Sequence, residues 1–133
     1  HIHNLTTIIC VGESDDQKMR GQTLKVVTDQ LTQSLPICAT PENTIIAYEP
    51  VWAIGTGKIP NPTDILEIHT LIRNLMRELK SLDTAEKIRI LYGGSVNPKN
   101  CDQILKIDGV DGALVGGASL VASNFIEIIN AAI

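Results

Sequence analysis

The segment NTIIAYEPVWAIGTGK, residues 43–58, decides how the rest of the chain is read. Its first part, NTIIAYE (43–49), is a short apolar run that ends on a carboxylate, Glu49. Pro50 follows at once; it has no N–H for a ladder and stops the strand there. Beyond it come Val51, Trp52, Ala53 and Ile54, then Gly55-Thr56-Gly57 and Lys58. An acid is therefore expected as the last residue of a rigid strand, with a glycine-hinged segment beside it. Glycine permits close backbone approach, so such a segment can offer N–H groups to a ligand.

The same grammar recurs on both sides. TTIICVG (6–12), IRILYGG (88–94) and GALVGG (112–117) read as three more strands, each closing on glycine. Residues 21–35 carry helical spacing at Leu24, Val27, Leu31 and Leu35. Residues 64–82 form an amphipathic helix with Ile65, Ile68, Ile72, Leu75 and Leu79 on one face. Asn61 can cap it, Pro62 suits its first position and Asp64 favours its positive end. Shorter helices are expected over 98–107 and 123–133. The result is four β-then-α units, with strands apolar on both faces as in a parallel sheet covered by helices.

Four such units make either a small open sheet or half of an eight-unit barrel. Barrel enzymes hold their chemistry on loops at the strand C-terminal ends. Here those loops are GESDD, EPVWAIGTGKIPN, GGSVNPKN and GGASL. Glu49 is either a surface acid at a strand exit or a catalytic group; barrel position favours the second. Gly93-Gly94-Ser95 and Gly116-Gly117 each leave N–H groups open to an anion, and ASL after the second pair suggests a short helix. Gly57-Lys58 superficially resembles a P-loop. Trp52 stands where its first glycine belongs and Ile59 where Ser or Thr belongs, so the motif fails. No G-x-G-x-x-G follows a strand, and a dinucleotide site is not indicated.

Bulk properties narrow the classes. The 133 residues suffice for one domain, with 44% hydrophobic and only 3% aromatic residues, so the core must be aliphatic. Net charge is −4, and no basic block suggests a nucleic-acid surface. No apolar run approaches the ~18 residues of a membrane span, and no signal peptide is expected. Cys10, Cys38 and Cys101 are odd in number and widely spaced, which reads as free thiols in a reducing compartment. The Asn4-Leu5-Thr6 sequon is discounted because no secretion signal is expected. His1 and His3 suggest either a metal pair or, preferably, a loose terminus.

AYEPVWAIGTGK (47–58), YGGSV (92–96) and DGALVGGASL (111–120), in this order and spacing, resemble the signatures of the triosephosphate isomerase family. CVGE (10–13) resembles that family's fifth strand, and the likeness covers essentially the whole chain. It implies the (β/α)8 barrel fold. Residues 1–133 would be the C-terminal half of one barrel domain, holding strands 5–8 and lacking the first half. It implies interconversion of dihydroxyacetone phosphate and glyceraldehyde 3-phosphate, in glycolysis and gluconeogenesis, in the cytoplasm, as a homodimer and with no metal or organic cofactor. Glu49 would be the base. Residues 50–60 would be the lid: Pro50, Val51, Trp52, Ala53, Ile54, Gly55, Thr56, Gly57, Lys58, Ile59 and Pro60. The substrate phosphate would rest on backbone N–H groups of Gly55, Ser95, Gly116 and Gly117, beside Leu114 and Val115. Tyr92, Ser95 and Glu13 would hold the closed lid, Glu13 through the Trp52 indole. Cys10 and His69 also match family positions and are read as core packing and helix-face contact.

Two departures from the family pattern bear on function. Pro60 stands where the family offers an N–H to the tyrosine latch, and proline has none. A lid held by fewer bonds is expected. The family's Asn-x-Lys pair and its electrophilic histidine belong to the first half, and His1, His3 and His69 do not match that histidine in context. Alone, the chain is expected to be inactive, with unpaired strand edges, exposed apolar faces and weak stability or self-association. The competing readings are a non-catalytic half-barrel that binds phosphate and another phosphate-binding barrel enzyme, which would lack AYEPVWAIGTG.

Overall fold

The computed structural model describes all 133 residues. Its strands are β1 (Thr7–Val11), β2 (Thr44–Tyr48), β3 (Ile90–Tyr92) and β4 (Gly112–Ala113), all parallel and in the spatial order β1-β2-β3-β4. Each strand lies beside its predecessor with helices in between. That sequential order is the arc of a barrel, whereas an open doubly wound sheet reverses its order at a switch point. The open-sheet alternative falls on this ground.

The helices are α1 (Asp15–Met19), α2 (Thr23–Ser34), α3 (Pro62–Leu79), α4 (Leu82–Lys87), α5 (Cys101–Leu105) and α6 (Ala122–Ala131). Single 3-10 turns occupy Val51–Ala53 and Gly117–Leu120, the second where ASL was expected to turn helical. Pro62 is the first helical residue of α3, as its fixed φ favours, but the Asn61 side chain makes no cap bond. Two helices were not expected. In α1 the Ser14 hydroxyl accepts from the Gln17 N–H, and the Gln17 side chain accepts from the Ser14 N–H, a complete capping box. In α4 the Ser81 hydroxyl accepts from the Thr84 N–H.

The buried face of α3 is Ile65, Ile68, His69, Ile72 and Met76; Leu79 lies outside it, exposed at the last turn. Val27 and Leu31 of α2, the β2 and β3 side chains, Cys101, Ile104 and Ile128 complete one continuous core. Arg73 fastens α3 to the sheet. Its guanidinium donates to the carbonyls of Ala85 and Ile88 and to Asp111, which also accepts from the Ile90 N–H at 2.7 Å. No helix is long and apolar enough to cross a membrane.

The expectation of strands buried on both faces holds for β2 and fails for β1. Thr44, Ile46, Ala47 and Tyr48 are buried, whereas Ile8 and Cys10 of β1 are exposed. Strand β1 is an edge, pairing only with β2, and this sheet face has no second layer over it. Cys10 is therefore not a core residue. The sheet's other edge, β4, is only two residues long, although the Leu114 N–H still reaches the Tyr92 carbonyl at 2.9 Å.

Candidate active site

Strand β2 ends at Tyr48, one residue before the expected acid. Glu49 nevertheless stays on the ladder, its N–H donating to the Val11 carbonyl at 2.8 Å. The backbone of the acid is thus as fixed as the strand itself. Two glycines make room for it. A Cβ on Gly12 would stand 1.8 Å from the Glu49 carbonyl oxygen, and one on Gly93 would stand 2.4 Å from Glu49 Cγ. Neither distance is open to real atoms, so both positions exclude any side chain while Glu49 stays where it is. Gly12 is pinned in turn by Gln30 of α2, which accepts from its N–H at 2.8 Å and donates to its carbonyl at 3.2 Å. Sequence reading missed this use of both glycines. It gave Gly93 an open N–H, but that group donates to the Tyr48 carbonyl at 2.8 Å, and both Gly93 and Gly94 are buried.

A cavity of about 390 Å³ opens beside Glu49. Its wall includes Gly55 and Gly57 of the post-strand segment, Ser95, and the run Leu114, Val115, Gly116, Gly117. Every residue expected to cradle phosphate therefore meets the acid on one cavity, although they come from three loops. Gly55 and Gly57 have φ of 65° and 76°, a region that side chains rarely adopt.

The segment after Glu49 forms one wall of this cavity through Ile54, Gly55 and Gly57. Its leading end is held by Glu13, fully buried, whose carboxylate accepts from the Trp52 indole N–H at 2.8 Å and from the Tyr48 hydroxyl at 3.2 Å. The Glu13 carbonyl also accepts from the Val51 N–H at 3.0 Å. Lys18 sits 4.2 Å above the Trp52 ring and 3.5 Å from Asp64. The Ser95 hydroxyl donates to the Ala53 carbonyl at 2.5 Å and accepts from the Gly57 N–H at 3.3 Å. Thr56 donates to the Trp52 carbonyl and accepts from the Lys58 N–H, bonds internal to the segment. The trailing end is different: past Gly57 no residue up to Pro60 bonds to the barrel, and Pro60, which is buried, has no N–H to give. The Tyr92 hydroxyl, packed against Gly94, is buried and has no hydrogen-bond partner. Burial, with the Glu13 charge nearby, pushes the Tyr92 phenol well above its ordinary range.

Cys10 lies beside Glu49. Although the residue is exposed, partial desolvation of its thiol by neighbouring atoms, then the hydrogen bond and charge of that carboxylate, push the thiol up to about 11. His69 is buried on α3, edge-on to Tyr48, with Nδ1 2.9 Å from the Gly109 carbonyl oxygen. Desolvation drives its pKa down to about 4, so the ring is neutral at pH 7. It stays remote from the cavity, a helix-face contact as expected.

Fold and site together define one half of a parallel β/α barrel, with a glycine-lined cavity at the strand C-terminal ends. The sequence profile of triosephosphate isomerases matches residues 1–132. The chain is 51% identical over 133 residues to a protein of Rhizobium meliloti (strain 1021) named triosephosphate isomerase, covering 98% of this chain and 51% of that protein. It is 53% identical over 127 residues to one of the same name from Mesorhizobium japonicum, covering 96% of this chain and 49% of the other. Its fold superposes on the crystal structure of triosephosphate isomerase from Bartonella henselae with a TM-score of 0.87 and 44% identity, covering 96% of this chain and 51% of that one. The chain belongs to the triosephosphate isomerase family. It spans about half the length of the curated relatives it matches.

Proposed function

We propose that this chain supplies the base, the phosphate cradle and the lid for the isomerisation of dihydroxyacetone phosphate and glyceraldehyde 3-phosphate. The observation that carries the reading is the convergence of Glu49 with Gly55, Ser95, Gly116 and Gly117 on one cavity walled in part by the segment that follows Glu49. The Glu49 carboxylate takes a proton from the carbon beside the carbonyl, leaving an enediolate, and returns it to the neighbouring carbon. Backbone N–H groups of the glycine loops hold the phosphate, and Leu114 and Val115 line the adjoining wall. Residues 50–60 exclude water while the enediolate exists, which limits loss of phosphate. Glu13, through Trp52, and Ser95 hold the lid down.

The residues polarising the substrate carbonyl belong to the first half of the family's barrel, so turnover belongs to the assembled barrel. The rest of this reading is a homodimer in the cytoplasm. The test is isomerase activity of the purified chain, with and without a separately made first half from one of the relatives, beside Glu49→Gln. Activity that appears only on mixing and disappears with Glu49→Gln is expected. Turnover by the chain alone, or full activity of the mixed Glu49→Gln protein, overturns the assignment.

A further inference from the structure

His1 is not a loose terminus: it closes a cluster at the N-terminal ends of β1 and β2, the end of the sheet remote from Glu49. Its Nδ1 lies 3.2 Å from Sγ of Cys38, on the exposed loop between α2 and β2. Its Nε2 lies 3.1 Å from the Asn43 carbonyl oxygen, 3.1 Å from Thr7 Oγ1 and 3.4 Å from Thr44 Oγ1. Those neighbours decide where the ring proton sits. The carbonyl can only accept. The Thr7 hydroxyl gives its own proton to that same carbonyl, and the Thr44 hydroxyl gives its proton to the Asn43 side-chain oxygen at 2.7 Å. All three are therefore acceptors toward the ring. Nε2 carries the hydrogen, and in neutral imidazole Nδ1 is then a bare lone pair. It faces the thiol.

We propose that Cys38 and His1 form a nucleophile–base pair, making Cys38 the thiol of this chain that exchanges with low-molecular-weight disulfides. A base within reach of the nucleophile and itself oriented by a third group is the recurring arrangement of an activated nucleophile. Nδ1 takes the thiol proton, and the thiolate attacks one sulfur of the disulfide. The S–S bond breaks, its electron pair leaves with the departing thiolate, and the imidazolium returns the proton to that thiolate. The products are a mixed disulfide on Cys38 and one free thiol. The imidazolium formed on the way is bonded by the Asn43 carbonyl and the two hydroxyls. Lys80 donates to the carbonyls of Pro36 and Ile37 at 2.7 and 2.8 Å, setting a second cation beside the loop. Glu42, on the same loop, is engaged with Thr40 and lies in the field of Lys87 and Asp83.

The other two thiols lack this arrangement. Cys101 is buried and donates to the Pro98 carbonyl. At Cys10, desolvation first and then the adjacent Glu49 carboxylate hold the proton on the thiol.

The test exposes the 133-residue chain to oxidised glutathione at pH 7 and maps the adduct by peptide mass. Cys38 is expected to carry it, roughly 10-fold faster than a free peptide of residues 35–42, whose thiol has the ordinary pKa of about 8.5. His1→Gln is expected to bring Cys38 down to the peptide's rate. A second readout is alkylation of Cys38 by iodoacetamide at pH 7, expected to slow in His1→Gln by the same factor as the exchange. Reaction at the peptide's rate, preference for Cys10, or an alkylation rate unchanged by His1→Gln overturns the proposal.

Discussion

The two ends of the segment after Glu49, residues 50–60, are built differently. At the leading end the backbone is fixed to β2, and Trp52, Val51 and Ala53 bond to Glu13 and Ser95. Behind them stand Tyr48 and, edge-on to it, His69. At the trailing end Ile59 and Pro60 make no hydrogen bond to the barrel, and the buried Tyr92 hydroxyl is left without a partner. The difference teaches that the segment is tied to a buried polar post at one end and, past the Gly57–Ser95 bond, makes no hydrogen bond to the barrel at the other. Motion should begin at residues 58–60 and reach Trp52 last.

The largest way to break this contrast is to remove the post. Glu13→Ala leaves the Trp52 indole and the Tyr48 hydroxyl without their acceptor. At about 1–3 kcal/mol for each unsatisfied donor, a loss of about 3–4 kcal/mol is expected in urea unfolding. Emission from Trp52, the sole tryptophan, should shift to the red.

A somewhat smaller effect comes from acid acting behind the post. The folded pKa of His69 is lowered from 6.5 to about 4. Between those values the unfolded chain binds the proton and the folded chain does not, so stability falls as pH falls. The contribution is fully present above 6.5 and lost by about 4. One proton changes stability by about 1.4 kcal/mol per pH unit, about 3 kcal/mol across the window. Melting of the unmutated chain and of His69→Phe at pH 7 and pH 4.5 checks this; the variant should lack that part of the acid sensitivity.

The smallest effect sharpens the contrast. Pro60→Ala returns an N–H to the trailing end, worth about 1 kcal/mol if the Tyr92 hydroxyl accepts it. Lid opening, followed by temperature-jump relaxation of Trp52 emission, should slow about five-fold. Unchanged opening rates would show that proline's missing donor does not loosen the lid.

Much of the frame was legible in sequence because its causes are local. β-Branched runs closed by Gly or Pro marked the four strands, and Pro62 marked the start of α3. The capping box of α1 was equally local: Ser14 and Gln17 stand three apart, yet GESDD read as plain loop. Glu13 is another matter. Its bond to Trp52 spans 39 positions, so only the family resemblance pointed to it. Leu79 fitted the helical period, but α3 has run past the core by its last turn, and His69 and Met76 take the buried places instead. Cys10 looked like a core residue because an apolar strand was assumed to be covered on both faces. The exposure of β1 depends on what lies across the sheet, which no run of residues within β1 encodes.

Gly12 and Gly93 bring no functional group to the cavity. Their contribution is the volume they leave empty, which the backbone and the side-chain stem of Glu49 occupy. Exchanging either for alanine adds a single carbon several bonds away from any reacting atom, and that carbon lands on the acid. A position can be indispensable to a reaction while owning no atom that takes part in it.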